Sequence, residues 1–143
     1  KLIKAITEQQ FIVYNRTEAP WPISDRDVVL QSKATYNKKT KTVMIRMQSI
    51  ETPEVPEVDG VVRMPRLRGR FNLQSIYDKV TFVTYEIDAD PGGLLPHWIV
   101  RIVSRDIPYI TLINLRKRVK DMAAKGVYKE TVQRYRQMGE NFK

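Results

Sequence analysis

The chain has 143 residues, of which 42% are apolar and 29% charged, with a formal net charge of +9 and no cysteine. That length suits one soluble globular domain with a real core and is too short for two. No apolar stretch reaches the 18 residues or so that a membrane-spanning helix needs. The missing cysteines exclude a disulfide framework and thiolate metal sites and leave the redox compartment open, so cytoplasm and a processed periplasmic protein fit equally. The first six residues, Lys1-Leu2-Ile3-Lys4-Ala5-Ile6, lack both a signal-peptide core and an initiator Met, so Lys1 is not expected to be the translation start.

The strands come first. Gln10 to Asn15, with Phe11, Ile12, Val13 and Tyr14 in succession, reads as a short strand, and the prolines of Ala19-Pro20-Trp21-Pro22 end it. Asp27 to Tyr36 is the next strand, closed by the polar hairpin Asn37-Lys38-Lys39-Thr40, and Thr42 to Ile50 pairs back on it. Glu51 to Gly60, with Pro53 and Pro56, is an acid-rich loop. Val61 to Leu73 is a long strand interrupted at Pro65, Lys79 to Asp88 is the last, and Pro91-Gly92-Gly93 stops the sheet. Short hairpins between successive strands predict an antiparallel sheet without βαβ units.

After Leu95 the period changes. Leu95, Ile99, Ile102, Val103, Ile110, Ile113 and Leu115 recur at three-to-four spacing, which predicts a helix with Pro96 in its first turn. Pro108 should kink or interrupt it, with Ile107 held out of the helical region. A second, polar helix is expected from about Lys129 to Met138, within a basic tail beginning near residue 123. Residues 116–143 carry nine Lys/Arg against three Asp/Glu, whereas residues 1–115 carry sixteen against thirteen. A solvated helical face explains that tail most simply. Attraction to an anionic membrane, at roughly 1 kcal/mol per cation near the surface, is the functional alternative. Nucleic-acid binding is not expected, since no reading helix or stacking platform accompanies the charges.

Alternation sorts the strands into faces. Val28, Leu30, Ser32 and Ala34 share one face, as do Val43, Ile45, Met47 and Ser49. Val62 and Met64, then Leu67, Gly69, Phe71 and Leu73 beyond Pro65, form a third set, with Arg66, Arg68 and Arg70 opposite. In the last strand Val83, Tyr85 and Ile87 are placed inward, although Phe82 contests this. The expected architecture is α+β: a curved antiparallel sheet whose apolar face is covered by the C-terminal helix. An ordinary packed core satisfies this pattern, and so does an apolar ligand cavity with sparse hydroxyls. The residues expected to line such a cavity are Val28, Leu30, Ser32, Val43, Ile45, Met47, Ser49, Met64, Leu67, Phe71, Val83, Tyr85, Ile99, Val103 and Ile110.

The segment Ala19-Pro20-Trp21-Pro22-Ile23-Ser24-Asp25-Arg26-Asp27 resembles the approach to the central strands of START (steroidogenic acute regulatory protein-related lipid transfer) domains. The likeness continues through Gly60-Val61-Val62-Arg63, Thr84-Tyr85-Glu86-Ile87-Asp88, Asp90-Pro91-Gly92-Gly93-Leu94-Leu95-Pro96-His97-Trp98 and Leu115-Arg116-Lys117-Arg118, over roughly residues 8–122. The resemblance implies a helix-grip fold enclosing one lipid, with binding or transfer rather than catalysis, no cofactor, and Glu51–Gly60 and Gln74–Lys79 as rim loops. It also implies further elements ahead of Lys1. Without them an edge and an apolar face stand open, so a second copy or an exchanged strand is expected to cover them. Sterol-binding members carry a buried acid–arginine pair where this chain has Val13 and Ser32, which points to an acyl-chain lipid or phospholipid. Cyclases and aromatases of the same fold supply the enzymatic alternative, which would need Tyr85 to meet Arg46 or Asp106 in the cavity, and a ligand-sensing interaction module whose output is a partner protein is the other alternative.

Other chemistry finds little support. His97 is the single histidine, so a two-histidine relay or His-rich metal site is impossible, and its place at a helix start predicts exposure. Asp106 is expected to be exposed or paired with Arg101 or Arg105. Arg26 and Asp27 read as a strand-start ion pair or a backbone cap. The acids of the Glu51–Gly60 loop lack metal-loop spacing, and Gly92-Gly93 is not followed by a phosphate-loop Lys-Ser/Thr. Trp21 and Trp98 suit either burial or an interfacial anchor.

Overall fold

The structure, a computed structural model, describes residues 1–77, 80–127 and 129. Seven strands come first: β1 (Leu2–Thr7), β2 (Gln10–Thr17), β3 (Asp25–Asn37), β4 (Thr42–Ser49), β5 (Val61–Arg63), β6 (Arg66–Tyr77) and β7 (Val80–Asp90). They form one sheet of order β1-β2-β3-β4-β6-β7, with β5 added beside β3. Helix α1 (His97–Arg101), a π-helical turn (Ile102–Asp106) and helix α2 (Ile107–Ala124) follow. The chain divides into two compact units, residues 1–99 and 100–143. The fold class is α+β, as the change of period at Leu95 predicts.

Three features depart from the sequence reading. Leu2–Thr7 forms an edge strand on β2, with register shifts that blur its alternation. Val61 to Leu73 is two strands. Pro65 cannot donate to a ladder, the chain breaks at Met64 and Pro65, and β5 pairs with β3 in parallel, Asp25 opposite Val61 and Asp27 opposite Arg63. Gln74–Tyr77 belongs to β6, where Gln74 pairs with Phe82 and Tyr77 with Val80, so the segment is ladder and not a loop.

The parallel pairing is held by one buried ion pair. Asp27 is 1% exposed. Arg63 donates to both its carboxylate oxygens, from Nε to Oδ1 at 2.7 Å and from an Nη to Oδ2 at 3.1 Å. The same guanidinium donates to the carbonyls of Val55 and Pro56, at 3.3 and 3.1 Å, so it also fixes the 51–60 loop. The Met64 amide donates to the Asp27 carbonyl at 2.9 Å. Arg26, the neighbour in sequence, takes no part in the ion pair. Its guanidinium caps the carbonyls of Ser24 and Gly92.

In the second unit, Pro108 stands in the first turn of α2, where its missing N–H costs nothing. The interruption expected there is the π-helical turn just before it, whose wider hydrogen-bond spacing absorbs the mismatch and leaves Ile107 helical, contrary to expectation. Gly126, at φ +67°, ends α2 by donating to the Ala123 carbonyl. The polar helix expected from Lys129 to Met138 lies outside the described residues.

Arg63 holds the Asp27 carboxyl below the usual carboxylate range, and the Tyr14 hydroxyl adds to the effect against the opposing cost of burial. A depressed folded-state value stabilises the protein above the unfolded carboxylate value of about 4, and that stability is lost as pH falls through the folded value. Asp27→Ala is therefore expected to cost roughly 3 kcal/mol in urea unfolding at neutral pH, because Arg63 is left uncompensated. Asp27→Asn should flatten the acid limb of the stability–pH curve. A backbone strain test is independent of charge. Gly92 sits at φ +68°, where an added Cβ would lie 2.9 Å from Pro65 Cδ and 3.3 Å from Val62 Cγ1, so Gly92→Ala should lower the melting temperature.

Candidate lipid-binding face

Strand register gathers most of the expected cavity residues onto one face. Directly opposed residues in a sheet point to the same side, so the pairings build four cross-strand rows. Val13, Leu30 and Ser49 form the first, continued by Leu67 and Ala89. Phe11, Ser32, Met47, Gly69 and Ile87 form the second. Ala34, Ile45, Phe71 and Tyr85 form the third, and Tyr36, Val43, Leu73 and Val83 the fourth.

The rows differ in burial. Val28, Leu30 and Leu67 are buried together, with Val13, Met64 and Ala89 packed against them. This end is plain core. Moving along the strands, Met47, Ile45, Phe71, Tyr85, Val43, Leu73 and Val83 are half-buried, and Tyr36 is 60% exposed. The face thus grades from packed core into partly accessible apolar surface. Phe71 and Tyr85 stack with ring centroids 4.2 Å apart and planes 11° from parallel. Gly69 lies in the middle, where the Met47 methyl fills the space its absent side chain leaves, 2.8 Å from where a Cβ would stand.

Polar groups on this face are few. The Ser49 hydroxyl accepts a hydrogen bond from the Leu67 amide at 3.1 Å and so belongs to the scaffold. Among the described residues, the hydroxyls of Ser32 and Tyr85 have no hydrogen-bond partner. Burial pushes the Tyr85 hydroxyl above its ordinary value. Arg26 stands at the packed end of the face, and its Nε is buried with no partner among the described residues. Val13 and Ser32 both lie on the face, opposite Leu30 and Phe11.

The remaining expected residues are placed as follows. Ile99 is buried in the first unit. Ile110 lies in the second unit, 51% exposed. The side chains of Val103, His97 and Trp98 lie outside the described set. Phe11 and Ala89 join the face although alternation alone does not single them out; only the β2–β3 and β6–β7 registers do so. Phe82 is 55% exposed and opposes Gln74 on the other face, which settles the facing of β7.

The opposite face is polar. Arg46 is on it, opposite Arg70, while Tyr85 is on the apolar one, so the Tyr85–Arg46 couple that an enzyme would use does not form. Asp106 lies in the second unit beside Arg105, 3.8 Å away. The Glu51–Gly60 loop is tied to the polar side too: Lys4 reaches Glu54 at 3.0 Å, and Arg63 holds two of its carbonyls. Trp21 is 93% exposed, which excludes the buried reading for it. No group of three or more His, Cys, Asp or Glu able to hold a metal occurs among the described residues, and no described helix is long and apolar enough to cross a membrane.

Spectrophotometric titration tests the environment of Tyr85. Among the described residues Tyr14, half-buried beside Asp27, and Tyr85 should both ionise above the free-phenol value, and Tyr85→Phe should remove one of the two components. A hydrocarbon ligand on the face should raise it further, because displacing water disfavours the phenolate.

Comparison with known proteins places the chain in a family. The START domain model matches residues 1–125. An uncharacterized protein of Pseudomonas aeruginosa is 36% identical over 103 residues, covering 72% of this chain and 50% of that protein. Mouse phosphatidylcholine transfer protein is 26% identical over 108 residues, covering 74% of this chain and 50% of the relative. The chain therefore spans about half the length of these relatives. Among solved structures, a STAR-related lipid transfer protein fragment from Xanthomonas axonopodis superposes with a TM-score of 0.71 at 29% identity, covering 84% of this chain and 66% of that one. Human StAR-related lipid transfer protein 5 gives 0.70 at 21% identity, covering 85% and 59%, a likeness of fold. With its sheet, its C-terminal helix and the family match over residues 1–125, the chain belongs to the START domain family.

Proposed function

We propose that this START domain binds one acyl-chain lipid, a phospholipid in preference to a sterol, against the apolar face of its sheet and carries it between membranes. The observation that carries the reading is the grading of that face. Beyond the Leu30–Leu67 core, Met47, Ile45, Phe71 and Tyr85 are half-buried, Ile87 is 36% exposed, and the rows they form are mostly apolar and free of charged side chains. Hydrocarbon taken from water onto such a surface contributes about 0.8 kcal/mol per buried CH₂, enough to hold a chain without any covalent step. Ser32 and Tyr85 supply hydroxyls for an ester or headgroup oxygen.

Two points support a phospholipid. The positions Val13 and Ser32 lack the acid–arginine pair that would anchor a sterol hydroxyl. Phosphatidylcholine transfer proteins also stand among the relatives, though at half coverage of their length. The excess of cations in residues 116–143 supports a transient encounter with an anionic membrane.

Native mass spectrometry of the purified protein, followed by solvent extraction, is expected to show one lipid per chain. Gly69→Leu should abolish that stoichiometry, since the added branches occupy the centre of the face. Gly69→Ala should retain it, because the end of the Met47 side chain can swing aside. An empty protein that also ignores phospholipids, sterols and fatty acids would sink the proposal.

A further inference from the structure

The polar side of the sheet has a feature that lipid binding does not use. A concavity of about 590 Å³ is set into it, lined by residues of β2, β3, β4, β6 and β7. Lys33, Arg46 and Arg70 stand directly opposite one another on successive strands, so three cations share one cross-strand row. Arg68 lies two residues from Arg70 along β6, in the neighbouring row that Gln31 and Gln48 complete.

Like charges directly opposite one another in a sheet are destabilising, and acids relieve only part of this cluster. Glu86 pairs with Arg70 at 2.5 Å. Asp88, which also lines the concavity, opposes Arg68 in register, yet its carboxylate is bonded at 3.3 Å to Arg66, which does not line it. Lys33, Arg46 and Arg68 have no acid partner among the described residues. Opposed residues stand about 5 Å apart at Cβ and diagonal ones roughly 7–8 Å apart, distances that long side chains close easily. One ammonium and two guanidinium groups can therefore converge on one small anion, with amide donors from Gln31 and Gln48 beside them.

We infer that this concavity is a binding site for a phosphoryl-type oxyanion of at least two negative charges, held by Lys33, Arg46 and Arg68. A planar guanidinium matches two oxygens of such a group at once, which a lone surface lysine does not. Occupancy also removes the repulsion along the row, so the anion stabilises the sheet that binds it. The same chemistry is found in a soluble phosphorylated molecule and in a phosphomonoester lipid headgroup. The site lies on the face opposite the lipid-binding rows, so it does not depend on that reading.

Inorganic pyrophosphate is the first probe, used on the full chain by calorimetry and thermal unfolding with sodium chloride at matched ionic strength. Saturable binding and a higher melting temperature than in the chloride control are expected. Arg46→Gln and Arg68→Gln should each weaken binding about tenfold or more, the effect of one charge-assisted contact. Without anion, Arg46→Gln should melt no lower than the parent, which separates loss of the site from loss of the fold. Arg105→Gln, in the second unit, should bind as the parent does. Vesicles of phosphatidylcholine with phosphatidic acid form the second arm. Sedimentation with them that Arg46→Gln and Arg68→Gln reduce identifies a headgroup as the source, while pyrophosphate binding without it identifies a soluble ligand. No stabilisation beyond the chloride control, together with vesicle binding that the two variants leave unchanged, overturns the site.

Discussion

The bidentate contact between Asp27 and Arg63 is the constraint on which the arrangement of the sheet depends. The carboxylate sits near the start of β3 with almost no exposure, and the guanidinium arrives from β5 after a loop of more than ten residues. A buried carboxylate is tolerable only when its lone pairs are matched, and Arg63 matches both oxygens while also gathering two loop carbonyls. With that contact made, β5 lies parallel to β3, and Val62 and Met64 come to the side of Val28 and Leu30. Pro65 then lets the chain leave the short ladder before Arg66 begins the long one.

The consequence is a sheet with two chemically distinct faces. At the packed end, small and medium apolar side chains close into core. Toward the β3–β4 and β6–β7 hairpins the same alternation continues, but burial falls and an aromatic stack takes the place of tight aliphatic packing. Across the sheet, the intervening positions are mostly polar, with Gln31, Lys33, Arg46, Gln48, Arg68 and Arg70 outnumbering the acids Glu86 and Asp88. Period-two alternation thus supplies both an apolar surface suited to hydrocarbon and a cationic surface suited to oxyanions, from the same four strands. Val29 and Ile12 are buried on the polar side, where the acid-rich loop is tied down by Lys4 and Arg63, so the polar side has a small apolar foundation of its own.

Much of this was legible in the sequence, and the limits are physical. The facing of Val28, Leu30 and Ser32, of Val43 to Ser49, and of Leu67 to Leu73 follows from alternation alone, because one residue of slip would carry the whole set into water. The parallel placement of β5 was not legible. Val61 to Leu73 alternates on both sides of Pro65 with a one-residue change of phase that a bulge would equally produce, and nothing local says that Arg63 will seek an aspartate 36 residues earlier. Adjacency in sequence suggests an ion pair between Asp27 and Arg26, yet consecutive residues of a strand point to opposite faces, which sends Arg26 to the apolar side and Asp27 to the polar one. The edge strand β1 was hidden by register shifts that break its period. The π-helical turn is a redistribution of hydrogen bonds that Pro108 signals only as an interruption.

The central claim is that hydrocarbon lies against the rows running through Met47, Ile45, Phe71 and Tyr85. Photo-crosslinking with a phosphatidylcholine that carries a diazirine in one acyl chain, followed by peptide mass spectrometry, tests it most directly. The account predicts labelling concentrated in β4, β6 and β7 at apolar-face positions such as Ile45, Phe71, Val83 and Tyr85, competed by unlabelled lipid. Labelling confined to polar-face positions such as Gln48 or Arg68, or no competable labelling of the sheet, would contradict it.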